Sequence, residues 1–84
     1  EDHVPMAPLA AQRAARLVED AMTVVAIEAL LAAQAVDLRG LTPAPALRPL
    51  YDAVRQGVPM MVEDRVLGED IATVRNAIAS RVGR

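Results

Sequence analysis

From Pro8 to Leu38 the chain carries no glycine and no further proline, and in the first half its polar residues recur at spacings of three and four. A run this rich in Ala, Leu, Arg, Gln and Glu predicts one long α-helix over about 8–38, with Pro8 in its first turn and Gly40 just past its end. In the first half, Gln12, Arg13, Arg16, Glu19, Asp20 and Thr23 form a polar side and leave Leu17, Val18, Ala21 and Val25 for a core. In the second half, Glu28 is the only polar residue from Val24 to Ala33. That part is apolar all round and is expected to be buried all round. Leu17, Val24, Leu31 and Leu38 fall seven apart, with Ala14, Ala21 and Ala35 on the adjoining row, which suits close packing between long, nearly parallel helices.

The pattern changes after Gly40. LTPAPALRP carries Pro43, Pro45 and Pro49 and reads as an extended, semi-rigid crossing over 40–49. Pro49 suits the first turn of a short helix, PLYDAVRQ, with Leu50, Val54 and Tyr51 inward and Gly57 closing it. Another short element is expected through VPMMVEDRVL. Glu69 and Asp70 open a last helix whose apolar stripe is Ile71, Val74, Ile78 and Val82, with Arg75 and Arg81 facing water. The predicted class is all-α: one long core helix of a multi-helix bundle, a proline-rich crossing and short helices.

The long helix raises a problem of size. About thirty residues at 1.5 Å each make a rod of roughly 45 Å. A compact chain of 84 residues has a radius of gyration of about 12 Å and is some 30 Å across. The helix therefore overhangs any fold the chain makes alone, and its all-apolar half needs partner helices from elsewhere.

Composition narrows the function. Hydrophobic residues are 54% of the chain and aromatics only 1%, so the apolar bulk is Ala, Val and Leu, as in packed helices. A net charge of -2 without a Lys/Arg cluster gives no footprint for phosphate backbones or anionic lipid, which argues against nucleic-acid and membrane partners. The most apolar segment, VVAIEALLAA at 24–33, is about half the roughly 20 residues that cross a bilayer. The absence of cysteine removes disulfide and thiolate chemistry and fits a cytoplasmic setting.

Candidate chemistry is sparse. His3 beside Glu1 and Asp2 has the residue types of a metal site, but neighbours in sequence do not converge on one ion, and no second His or Cys completes a zinc set. No metal is expected. There is no serine or cysteine nucleophile with a partner base, and no glycine loop for phosphate. Glu28 in apolar surroundings is a carboxylate with either a catalytic or, more simply, a paired structural role. Glu63, Asp64 and Arg65 read as solvated or capping charges, Met60 and Met61 as core filling, and Tyr51 as half-buried packing.

EDHVPMAP, then a long helix containing VVAIEALLAAQAVDLRG, a proline crossing, LYDAVRQGVP and EDRVLGEDI, together resemble the C-terminal part of the histidine ammonia-lyase family of aromatic amino acid lyases and aminomutases. The resemblance covers nearly the whole chain in the same order. It implies an L-aspartase/histidase-like fold whose homotetramer core is a bundle of long helices, which accounts for the overhang. It divides the chain into an active-site loop at 1–7, a bundle helix at 8–39, the crossing at 40–49 and short helices at 50–84.

The same resemblance implies elimination of ammonia from an aromatic amino acid, with L-histidine to urocanate favoured because a carboxylate can hydrogen-bond an imidazole N–H. Phenylalanine and tyrosine lyases and aminomutases are the alternatives within the family. The family's electrophile is a methylideneimidazolone formed from Ala-Ser-Gly, a triplet this chain lacks; it is expected in a preceding part of the polypeptide. Glu1 matches the family's active-site glutamate, and Asp2 and His3 match residues that support the substrate loop. Glu28 matches a structural acid of the core helix.

Pro5 stands where the family commonly has serine, removing a hydroxyl and a backbone N–H and leaving substrate choice open. A start in the middle of the motif suggests a piece of a longer lyase. Its partners are then the remaining polypeptide, identical subunits and a small amino acid, and alone it is expected to be inactive. A non-catalytic helical association module is the reading of a different class.

Overall fold

Helix α1, His3–Arg39, runs the length of the molecule. In the computed structural model the backbone is described for residues 3–82 and the side chains for 7–81. The 37 residues of α1 give a rod of about 55 Å at 1.5 Å per residue, which sets the longest dimension of a molecule measuring 60 × 29 × 17 Å. The radius of gyration is 16.7 Å, against about 12 Å for a compact chain of this length. The overhang expected from the sequence is therefore present.

α1 starts at His3, not at Pro8, so residues 3–7, expected as loop, are helical. Prolines can be accommodated here because the first four N–H groups of a helix have no intrahelical acceptor. Pro5 falls among those four and costs no bond, while Pro8, inside the helix, removes one. Glu1 and Asp2 lie outside the described residues.

The C-terminal end of α1 is closed by backbone geometry. Gly40 has φ of +66°, a conformation that a Cβ would strain. Its N–H donates to Asp37 O at 3.1 Å while Leu41 N–H donates to Val36 O at 3.0 Å, the paired bonds of a Schellman stop. The crossing contains one turn of 3-10 helix, Pro45–Leu47, which runs directly into α2, Arg48–Gly57. No helix forms over residues 58–67, where another short element was expected. α3, Gly68–Val82, follows with Glu69 and Asp70 in its first turn and Arg81 in its last, both matching the helix dipole.

α2 and α3 pack side by side against one face of the C-terminal half of α1. The core is Ala26, Leu30 and Ala33 from α1, Val54 and Val58 from the α2 end, and Val74 from α3, ringed by Ala29, Tyr51, Ile71 and Ile78. Small residues at 26, 29 and 33 let the short helices approach α1 closely. Gly57 serves the same end, since a Cβ there would lie 2.7 Å from Thr73 Cγ2.

Two burial expectations are corrected. The stretch from Val24 to Ala33 is not buried all round: Val24, Val25, Ile27 and Leu31 are exposed, Leu31 by 60%. Leu17, Val18, Ala21 and Val25 are exposed and not part of the core among the described residues; Val18, Ala21 and Val25 only border a hollow beside Ile78 of α3. The reason is supply: α2 and α3 together cover one side of α1 and have no second layer to offer. Arg75 is also corrected, since it is half-buried and donates to Thr23 Oγ1 at 3.3 Å instead of standing in water.

Candidate functional site

Of the residues singled out for chemistry, Glu1 and Asp2 lie outside the described residues, and His3 is described only as backbone in the first turn of α1. Glu28 is exposed on α1, so the described residues do not supply the buried surroundings that made it a candidate. Among the described residues no group of three metal-ligating side chains gathers.

The best-organised polar cluster of the described chain lies elsewhere, where α1 crosses α2. Asp37, one turn before the Gly40 stop, accepts a hydrogen bond from the Tyr51 hydroxyl and another, 2.7 Å, from Arg55 Nε. Arg55 also donates through Nη1 to Val58 O at 3.1 Å. The side chains of Arg55 and Asp37 are only 14% and 16% exposed, so this ion pair is largely withdrawn from water, unlike the exposed Arg48–Asp52 pair on α2. Arg55 Nη2 is buried without a partner. The Tyr51 hydroxyl, donating to Asp37, holds the Asp37 carboxyl below its ordinary 3.8, with Arg55 adding to the effect against the cost of burial. The same bond holds the Tyr51 hydroxyl above its ordinary 10.0.

Two further clasps fix the 58–67 segment. Gln34 Nε2 donates to Met61 O at 2.7 Å and Met61 N–H donates to Gln34 Oε1 at 3.0 Å. Arg65 donates through Nε to Asp70 Oδ2 at 2.8 Å and through Nη2 to Pro59 O at 2.7 Å. Arg65 is thus a staple between segment and helix, while Glu63 and Asp64 stand exposed. The side-chain partners of Asp37, Gln34 and Arg65 lie 5 to 27 residues away. No spacing rule for one helix face finds the longer of these pairs; the only sequence signal was polar residues on an otherwise apolar helix.

Apolar hollows accompany these clasps. One of about 220 Å³ lies between α1 and the crossing, bounded by Ala29, Ala33, Val36, Leu41, Leu47 and Leu50 among others. Another of about 320 Å³ is formed by Val18, Ala21, Met22, Val25 and Ile78 where α3 ends against α1. Neither brings an acid, a base and a nucleophile together. The described part of the chain therefore has the character of a scaffold: long apolar surface, structural ion pairs and no reactive constellation of its own.

Comparison with known families and proteins places the chain among lyases. The sequence model of the aromatic amino acid lyases matches residues 1–56. The chain is 44% identical over 79 residues to the histidine ammonia-lyase of Anaeromyxobacter sp. (strain K), covering 93% of this chain and 16% of that protein. It is 43% identical over 72 residues to the histidine ammonia-lyase of Geobacillus sp. (strain WCH70), covering 84% of this chain and 14% of that protein. The corresponding enzyme of Gloeobacter violaceus is 41% identical over 80 residues, or 94% of this chain and 16% of that protein. No solved structure gives a significant match. The chain belongs to the aromatic amino acid lyase family. It spans about 16% of the length of the curated relatives it matches.

α1 has a further property that its length and composition together give it. Over Ala7–Arg39 it is long and apolar enough to cross a membrane, with mean hydropathy of 1.7 in its most apolar 18-residue stretch and 22% of that stretch buried. The run from 24 to 33 is too short to show this, and the polar residues around it are too few to lower the average over 18 residues. The core helix of a soluble bundle passes the same test.

Proposed function

We propose that this chain is the C-terminal segment of a histidine ammonia-lyase, contributing Glu1 to the active site and α1 to the helical core between cytoplasmic subunits of a homotetramer. The observation that carries the reading is the 44% identity to a histidine ammonia-lyase across 93% of the chain. Its physical support is α1 itself: a helix with Leu17 and Leu38 each 68% exposed and Leu31 60% exposed is built to be covered by other helices.

In the reaction of the complete protein, the Cα–N bond of L-histidine breaks, a β-proton is lost, and the new carbon–carbon double bond gives urocanate and ammonia. A methylideneimidazolone would supply the electrophile that makes the amino group a leaving group. This chain contains no Ala-Ser-Gly to form it, and its described residues offer no reactive cluster to hold it, so the group belongs to another part of the polypeptide. The part left to this chain is Glu1. Its carboxylate anchors the substrate by accepting a hydrogen bond from the imidazole N–H or from the amino group, and can take up or return a proton there. Asp2 and His3 support the position of Glu1.

The reading is tested by supplying the complete protein with L-histidine, L-phenylalanine and L-tyrosine in separate assays. Urocanate from histidine with little product from the other two is the expected result. Preferential release of cinnamate or coumarate, or of a β-amino acid, would move the protein to another branch of the family.

A further inference from the structure

We draw no further inference here: the strongest candidate, the apolar hollow of about 220 Å³ between the C-terminal half of α1 and the proline crossing, carries nothing, because nothing in the structure shows what covers it.

Discussion

Gln34 and Met61, 27 residues apart, exchange two hydrogen bonds through the Gln34 amide and the Met61 backbone, at 2.7 and 3.0 Å. This is the bond pattern of a strand ladder made by a side chain. It satisfies both backbone groups of a residue in a segment with no secondary structure of its own, and it holds residues 58–67 against α1. Replacing Gln34 by Ala leaves the Met61 groups half-buried without partners. The expected loss is about 1–3 kcal/mol of unfolding free energy in denaturant titration, with helical content unchanged. Gln34→Glu keeps the acceptor and loses the donor, and should fall between the two.

The Asp37 cluster gives the chain a defined pH dependence. Asp37 has a folded pKa below its ordinary 3.8 because of the Tyr51 hydroxyl bond and Arg55. Its contribution to stability is therefore complete above about pH 3.8 and lost as pH falls through the lower folded value. Tyr51 is shifted the other way, above its ordinary 10.0. Its contribution is complete below that pH and is lost as pH rises through the folded value. Thermal unfolding followed across pH should show both limbs. Asp37→Asn is expected to flatten the acid limb and Tyr51→Phe the alkaline one, while Asp52→Asn, in the exposed pair with Arg48, leaves both in place.

A close approach at the α2–α3 contact makes a third expectation. A Cβ at Gly57 would stand 2.7 Å from Thr73 Cγ2, and Thr73 is held by its own hydroxyl bond to Glu69 O at 2.9 Å. Gly57→Ala should destabilise by about 1 kcal/mol or more, because the strain exceeds the gain from a less flexible unfolded chain. Adding Thr73→Ser removes the clashing methyl and keeps the hydroxyl. The double variant is expected to recover most of the loss, a coupling measurable in a double-mutant cycle.

What the sequence made legible follows from the range of the forces involved. Long uninterrupted periodicity and the Gly40 stop are local, so the existence of α1 was readable and its C-terminal end to within a residue. The same holds for Val54 and Val74, which sit in the middle of their short apolar stripes and are buried as expected. The N-terminal boundary was misplaced because Pro8 reads as a first-turn residue, whereas a proline one turn further in costs a single bond and can be carried by a helix this long. The Asp37–Tyr51–Arg55 cluster was invisible because its members come from α1 and α2 and meet only after the crossing folds back. The exposure of Val24, Val25 and Leu31 was misjudged for the opposite reason. Periodicity reports which side chains need cover, not which chain provides it. For Glu1, Asp2 and His3, the link to chemistry came from motif resemblance, since no physical rule assigns a reaction to three polar residues in a row.

The isolated chain is expected to form no urocanate from L-histidine, since it lacks the electrophile-forming triplet. Mixing it with the complementary part of the lyase should give measurable ultraviolet absorbance of product. Turnover by the 84-residue chain alone would contradict the division of labour described above.

The central proposal is that Glu1 contributes its carboxylate to the active site, and the most direct measurement is the turnover of the complete lyase carrying Glu1→Gln. The account predicts a fall in kcat of about 100-fold or more, as for loss of a group acting on protons in the transition state, with thermal stability and subunit assembly unchanged. A variant with near-normal kcat and KM on L-histidine would contradict it and leave this chain a purely structural part of the enzyme.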